Sequence, residues 1–170
     1  GENVEAMANV TPYVSAVRSI KVAVAQMACG SHLEDNVEKI RHYIRQAAEH
    51  SADIVVFPEL AVTGSADENV RAATQEALEW GVARIGEEAA ANAIHVVFGA
   101  PYFARGARRN CAFVIGDDGQ VKTRYEQIAT ARIGLFQPGA STKRLWFQLR
   151  GVHAIVTIGA DSDWIEIPNL

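Results

Sequence analysis

Apolar residues dominate three short runs in the first 102 residues of the chain. These runs are residues 19–27 (SIKVAVAQM), 53–60 (DIVVFPEL) and 94–102 (IHVVFGAPY). Runs that are apolar almost throughout, with no alternation of polar residues, are typical of strands in a sheet that is covered on both faces. The pattern therefore predicts three buried strands.

The segments between these strands have helical periodicity. Four apolar residues recur at the spacing of a helix: Leu33, Val37, Ile40 and Ile44. They predict a helix that ends near His50, with Ser31 and Glu34 as a capping box at its start. A second helix, rich in Ala and Glu, is predicted from Asn69 to Asn92. The alternation of strand and helix indicates βαβ units and a sheet that is at least partly parallel.

The pattern changes after the third strand, where short strands follow one another directly. Residues 110–116 (NCAFVIG) and 120–125 (QVKTRY) flank Asp117, Asp118 and Gly119, which suit a tight turn. Residues 145–149 (LWFQL) and 152–158 (VHAIVTI) form a second pair, joined by Arg-Gly. Both pairs are predicted to be antiparallel hairpins.

Glu59 lies at the end of the second predicted strand, where functional side chains gather in open α/β sheets. The preceding Pro58 lacks a backbone donor, so the chain is expected to leave the sheet there. A carboxylate in this place suits a general base. A helix-capping or solvated loop residue is the alternative.

Composition and charge exclude several classes of protein. The chain is 49% hydrophobic and 21% charged, as in a globular domain, and its net charge of −4 argues against a nucleic-acid partner. A cluster of three arginines, Arg105, Arg108 and Arg109, is interpreted as a solvated loop. No apolar run is long enough to span a membrane, and no signal peptide is recognisable, so a cytoplasmic location is expected.

The side chains that could ligate a metal or attack a substrate are scattered. Cys29 and Cys111 show neither metal-ligand spacing nor a disulfide framework, and both are interpreted as small hydrophobic residues. The five histidines show no H-x-x-x-H spacing, and His95 is expected to be structural. No metal and no other cofactor is therefore expected.

Five stretches, in this order, resemble the carbon–nitrogen hydrolase family, also called the nitrilase superfamily. They are VAVAQM, IVVFPELAVTG (54–64), VVFGAPY with the hairpin NCAFVIGDDGQVKTRY, FQPG (136–139) and GVHAIVTIGADSDWIE (151–166). The second resembles the family's signature around its catalytic glutamate, and the last resembles the strand and elbow that carry its nucleophile. The resemblance implies an α/β fold, a nitrilase-like αββα sandwich truncated after the nucleophile-elbow strand.

The resemblance implies a role for Glu59 as the base, but it places unsuitable residues at the other catalytic positions. The family uses a cysteine nucleophile, a glutamate base, a lysine that stabilises the oxyanion, and often a second glutamate. Here the cysteine position falls on Gly159 and the lysine position on Gln127. The second glutamate position falls near Arg132. A substitution introduced at Gly159 alone would not explain the other two.

Three hypotheses follow. The one we favour is a catalytically inactive domain that binds a small amide or amine, or that serves assembly. The alternatives are a hydrolase of small amides, nitriles or ureido acids that uses Glu59 as base, and a structural domain of a larger protein. Residues 1–18 are interpreted as an N-terminal extension or linker and 19–170 as an incomplete domain of the family. Exposed sheet edges would then favour a homo-oligomer or a place within a longer chain.

Overall fold

The computed structural model describes residues 21–127, 135 and 136 with their side chains, and the backbone of residues 2–5, 19–20, 145–149, 152–156 and 165–166. The elements in chain order are β1 (Glu2–Glu5), β2 (Ser19–Val24), α1 (Leu33–Glu49), β3 (Ile54–Val56), α2 (Asp67–Ala72), α3 (Gln75–Asn92), β4 (His95–Ala104), β5 (Ala107–Ile115), β6 (Val121–Glu126), β7 (Leu145–Leu149), β8 (Val152–Val156) and β9 (Ile165–Glu166).

The strands form two sheets whose connections follow the predicted change of pattern. The first sheet has the order β1-β2-β3-β4-β5-β6 and the second has the order β7-β8-β9. Strands β2, β3 and β4 are parallel neighbours, linked by helices as in βαβ units. Strands β4 to β6 form an antiparallel meander, and β7 pairs antiparallel with β8. The α/β class and both predicted hairpins are confirmed.

Helices α1 and α3 cover one face of the first sheet. The main apolar cluster contains Ile40 and Ile44 of α1, Ile85 of α3, and alternate residues of the strands, among them Phe98 and Phe113. The two phenylalanine rings stack with centroids 5.2 Å apart. The facing pairs Val97–Val114 and Gly99–Ala112 lie on the opposite face of β4 and β5. These four residues are buried, so that face is covered as well. Burial on both faces is why these strands lack alternating polar residues.

The starts of the two predicted helices differ from expectation. The predicted capping box was wrong. The N-cap of α1 is His32 and not Ser31, and the His32 side chain makes no capping hydrogen bond. The Ser31 hydroxyl is hydrogen-bonded to the His32 ring and not to the helix backbone. The single helix from Asn69 to Asn92 was also wrong. The chain becomes extended at Ala73, and Thr74 begins a new helix by accepting a hydrogen bond from the Ala77 amide at 3.1 Å.

The arginine cluster is part of the meander. Arg105 and Gly106 form the two-residue turn between β4 and β5, with φ values of 52° and 73° that match a type I′ hairpin turn. Arg108 and Arg109 belong to β5, so their interpretation as loop residues was wrong. Paired strands on both sides of the turn explain the difference, since each residue from Val96 to Ala104 has a partner on β5.

Two further features concern the surface. Strand β1, within residues 1–18, pairs antiparallel with β2 at the edge of the first sheet. Trp80 of α3 has 40% of its surface exposed, so it is not a core residue. None of the helices in the described part of the chain is long and apolar enough to cross a bilayer.

Candidate functional site

Glu59 is held at the end of β3 by the backbone of β4. Beyond the last residue of β3, Phe57 N–H still donates to the Val97 carbonyl at 2.8 Å. Pro58 has no N–H to continue the ladder. The chain then turns across β4, and Val62 N–H donates to the Gly99 carbonyl at 3.2 Å. Glu59 therefore lies between two backbone anchors, and its side chain is half-buried.

Gly99 allows this close crossing. A Cβ at this position would lie 2.5 Å from the Leu60 nitrogen and 2.9 Å from the Glu59 Cα. Both are backbone atoms, so no side-chain rotation could relieve the overlap. Glycine at this position is what lets the Glu59 segment pack directly on the sheet.

Leu60 supplies the turn that follows. Its φ of 54° is in the left-handed region, which costs an ordinary residue roughly 1–2 kcal/mol. Two backbone hydrogen bonds to the Leu60 carbonyl, from Thr63 N–H at 3.2 Å and Gly64 N–H at 2.7 Å, stabilise it. The Leu60 side chain is buried in a small cluster with Val70, Leu135 and Phe136. Backbone strain of this kind next to a carboxylate is a common feature of functional sites.

Asn110 of β5 joins Glu59 to Gln127. Its side-chain NH₂ group donates to the Glu59 carboxylate and to the Gln127 side-chain oxygen, the latter at 3.2 Å. The Gln127 N–H donates to the Asn110 carbonyl at 2.8 Å, which extends the pairing of β5 and β6 by one residue. We call Glu59, Asn110 and Gln127 the Glu59 cluster. The structure thus brings together two of the predicted site residues through a third that the sequence analysis missed.

Asn110 is almost fully buried, with 2% of its surface exposed, and its side-chain oxygen has no hydrogen-bond partner among the described residues. A buried amide oxygen without a partner costs roughly 1–3 kcal/mol. A signal for Asn110 was present in the sequence, since it is the polar residue that begins the otherwise apolar run 110–116. Gly159 and Arg132, the two other predicted positions, lie outside the described residues.

Neither cysteine belongs to the Glu59 cluster. Cys29 is exposed, and its thiol lies 3.5 Å from the Ala61 carbonyl oxygen. The residue is exposed as a whole, but partial burial of its sulfur beside Ala61 raises the pKa of Cys29, which lowers the thiolate fraction at neutral pH. Cys111 faces the apolar core, where burial raises its pKa to about 12. Burial similarly lowers the pKa of His95, as suits a structural histidine.

Neither the cavity nor the tight turn among the described residues includes a residue of the Glu59 cluster. A cavity of about 420 Å³ lies between β2 and α1, with Lys21, Tyr43 and Gln46 in its lining, and no predicted site residue contributes to it. No group of three or more His, Cys, Asp or Glu side chains within the described residues could hold a metal ion. The turn at residues 117–119 is confirmed, with Gly119 at a φ of 81° and Asp118 accepting from Gln120 N–H.

Comparison with known proteins gives a consistent result. The model of the carbon-nitrogen hydrolase family matches residues 21–160. A solved structure of an amidase from Nesterenkonia sp. AN1 superposes with a TM-score of 0.75 at 18% identity, and covers 84% of this chain and 58% of the amidase. A cysteine-to-alanine variant of that amidase in complex with butyramide gives 0.73 at 19%, with 81% and 54% covered.

At these identities the structures show the α/β fold alone, and the nitrilase-type fold that the sequence predicted is confirmed. The chain spans a little over half the length of these amidases. No curated protein sequence matches it.

Proposed function

The chain belongs to the carbon–nitrogen hydrolase family, and from that premise we propose that it binds a small primary amide at the Glu59 cluster without cleaving it. The observation that carries the proposal is the chain of hydrogen bonds from Glu59 through Asn110 to Gln127. It presents one anionic acceptor beside a neutral amide at the position that we assign to the family's lysine.

The hydrogen bonds of the cluster match the two ends of an amide group. The Glu59 carboxylate is an acceptor and suits the N–H of a ligand. The Gln127 side-chain oxygen is already used by Asn110, so its NH₂ group is the part that can donate to a ligand carbonyl. One acceptor beside one donor is the complement of a primary amide. Glu59 would repel the like charge of a ligand carboxylate at this position, and the neutral Gln127 would not offset that repulsion as a lysine would.

Cleavage by the family's covalent route needs a thiol at the position that we assign to Gly159. Glycine has no nucleophile, and Cys29 offers only a thiol of raised pKa that contacts the Ala61 carbonyl. The amidase variant in complex with butyramide lacks one cysteine, and so supports the view that this fold can hold an amide without a thiol.

Calorimetric titration with butyramide tests the proposal. Six non-hydrogen atoms can supply a millimolar or somewhat tighter Kd. We expect Glu59→Gln to weaken binding at least tenfold, because it replaces the anionic acceptor with a neutral amide. Glu87→Gln is the matched control, since Glu87 is an exposed residue of α3 that pairs with Arg84, and it should leave the affinity unchanged. Butyrate should not bind.

Ammonia release measured on the same samples separates the alternatives. Binding without release supports the proposal. Release that disappears in Glu59→Gln would replace it with hydrolysis by water that Glu59 activates. No binding by the wild-type chain would contradict it and favour a purely structural domain.

We also propose that the chain self-associates. Strand β6 is at the edge of its sheet, and Val121 there is 47% exposed. Exposed edges and large apolar side chains favour contacts between chains. Light scattering coupled to size-exclusion chromatography tests this, and a monomer at all concentrations would contradict it.

A further inference from the structure

Asn36 of α1 is a polar residue on the face of the helix that packs on the sheet. It shares that face with Ile40 and Ile44, which belong to the main apolar cluster, because residues four apart lie above one another in a helix. Asn36 has no exposed surface. A buried side-chain amide needs hydrogen-bond partners, since an unpaired polar group is costly in the interior. The partners of Asn36 therefore explain why an asparagine occupies a position of the apolar stripe.

Two loops meet next to this side chain. The first joins β2 to α1 and covers residues 25–32, and we call it the Cys29 loop. The second joins β3 to α2 and covers residues 57–66, and we call it the Glu59 loop. Strands β2 and β3 are parallel neighbours, so the two loops leave the sheet at the same edge.

The side chain of Asn36 is hydrogen-bonded to both loops at once. Its oxygen accepts from Gly30 N–H at 2.7 Å, and its NH₂ group donates to the Gly30 carbonyl at 2.9 Å and to the Val62 carbonyl at 3.1 Å. Only backbone atoms of Gly30 and Val62 take part. One buried amide therefore uses both of its N–H groups and its oxygen to join the Cys29 loop to the Glu59 loop.

Val62 connects Asn36 to the position of Glu59. Its carbonyl accepts from Asn36, and its N–H donates to the Gly99 carbonyl at 3.2 Å. The Val62 backbone is thus held by α1 on one side and by β4 on the other, three residues after Glu59. Without Asn36 it would lose its bond to α1 and keep a bond to β4 that is already at the long end of the normal range.

The two loops also contact each other directly. The Cys29 thiol lies 3.5 Å from the Ala61 carbonyl oxygen, and a Cβ added to Gly64 would lie 3.2 Å from the Cys29 Cβ. Contacts this close require the loops to keep a fixed separation. The reactivity of the Cys29 thiol therefore reports on whether they do.

A second side chain of α1 also bonds the Cys29 loop. The Lys39 ammonium donates to the Ala28 carbonyl at 3.1 Å. Lys39 is exposed, so water competes for this bond, whereas the bonds of Asn36 are formed by a side chain without solvent contact. Asn36 is therefore the stronger of the two ties between α1 and this loop.

We propose that Asn36 is a positioning residue for amide binding: by joining the Cys29 loop to the Glu59 loop, it keeps the Glu59 carboxylate within reach of both Asn110 and a ligand amide. This rests on the proposed function above. Asn36 acts through the backbone of Val62 and not by contact with the ligand. The two loops form one unit, so a ligand at Glu59 also restrains the Cys29 loop.

Two measurements on Asn36→Ala test the inference. Calorimetric titration should show butyramide binding weakened roughly fivefold or more, because the support of the Glu59 loop is lost. Modification of Cys29 by N-ethylmaleimide at pH 8, followed by mass spectrometry, should become roughly threefold faster or more, because the loop that carries the thiol is released.

Ile44→Ala is the matched control. Ile44 is also fully buried on α1, and it lies roughly 12 Å from Asn36 along the helix axis. Removing its side chain lowers the stability of the core without removing a hydrogen bond to either loop. Both variants are measured at a temperature at which circular dichroism shows them folded. Ile44→Ala should stay within twofold of wild type in butyramide affinity and in the rate of Cys29 modification.

Asn36→Asp separates hydrogen bonding from volume. The aspartate fills the same space and can accept from Gly30 N–H, but it has no N–H to donate to the Gly30 and Val62 carbonyls. It should weaken butyramide binding as much as Asn36→Ala does. Full affinity in Asn36→Asp would overturn the inference, since the donors of Asn36 would then be dispensable.

Amide hydrogen exchange in the wild-type chain keeps the test decisive even if no Asn36 variant folds. Saturating butyramide should slow the exchange of Gly30 N–H and of Val62 N–H, each roughly threefold or more, because the two loops are restrained together. Ala52 N–H, which donates to the Ala47 carbonyl at the other end of α1, is the control and should be unaffected.

The outcomes separate this inference from the proposed function. Wild-type affinity in Asn36→Ala, equal losses in Asn36→Ala and Ile44→Ala, or slowed exchange at Val62 without slowed exchange at Gly30 would each overturn the positioning role while amide binding stands. If the wild-type chain does not bind butyramide, the proposed function fails and the positioning role fails with it.

Discussion

Replacing Gly99 with alanine is the sharpest test of how the fold positions Glu59. The added Cβ would lie 2.5 Å from the Leu60 nitrogen, 2.9 Å from the Glu59 Cα and 3.1 Å from the Glu59 carbonyl carbon. Ordinary contact with a Cβ begins at 3.4 Å, so the Leu60 nitrogen must retreat by about 0.9 Å (3.4 minus 2.5). The hydrogen bond from Val62 N–H to the Gly99 carbonyl, already 3.2 Å long, would not survive such a movement.

The expected cost follows from these contacts. Overpacking a filled site costs roughly 1–3 kcal/mol, and the lost hydrogen bond adds about 1 kcal/mol. The reduced freedom of the unfolded chain offsets about 0.4–1 kcal/mol. We therefore expect Gly99→Ala to lower the free energy of unfolding by about 1–3.5 kcal/mol. For a chain of this length, each kcal/mol corresponds to about 2–4 °C in Tm. Amide binding should be lost as well, because Glu59 moves with its backbone.

Thermal and urea unfolding, followed by far-UV circular dichroism, measure the effect. Gly30→Ala is the matched control, since among the described residues its Cβ would meet only the Asn36 side-chain oxygen at 3.8 Å and Lys39 Nζ at 3.9 Å. That control should stay within about 1 kcal/mol of wild type. If Gly99→Ala matches it in stability and in butyramide affinity, the account of how Glu59 is positioned is refuted.

Four other predictions concern separate parts of the molecule. Glu88 is 7% exposed and pairs with two arginines of α1, so Glu88→Ala should lower the free energy of unfolding by about 1–3 kcal/mol. Glu87 is exposed, and Glu87→Ala should lower it by less than about 0.5 kcal/mol. Urea unfolding compares the two variants, and equal losses would contradict the role of Glu88 in joining α1 to α3. Burial raises the pKa of Cys111 to about 12, so its contribution to stability is present below the unfolded pKa of about 8.5 and is lost as the pH rises toward 12. Above pH 9 the wild-type chain should therefore lose stability faster than Cys111→Ala. Parallel plots of unfolding free energy against pH for the two proteins would contradict this. At pH 8 a thiol reagent should modify Cys29 in the native chain and Cys111 only after unfolding, and two equally fast thiols would show that the core around β5 opens. Asn110→Asp should weaken butyramide binding at least tenfold, because it replaces the donor to Glu59 with a second carboxylate; unchanged affinity would remove Asn110 from the site.

Local signals in the sequence were sufficient for most elements and failed where a contact decided the outcome. The helix ending near His50 and the turn at residues 117–119 were predicted, because helical spacing and turn residues act within a few positions. The boundary between α2 and α3 was missed, because nothing in the Ala-rich segment marks Thr74 as the start of a helix until its hydroxyl caps the Ala77 amide. The arginines of β5 were taken for a loop because their pairing with β4 depends on the register of two strands.

The candidate site divides in the same way. The sequence by itself was enough to predict the fold class and to propose Glu59 and Gln127 as site residues, because an apolar strand that ends in Pro-Glu and a resemblance to a family are both properties of short stretches. Only the tertiary structure decided that Asn110 connects these two residues. Asn110 lies 51 positions from Glu59 and 17 from Gln127. Such contacts arise from the register of β5 against its neighbours and from the crossing over Gly99, and no periodicity along the chain encodes either.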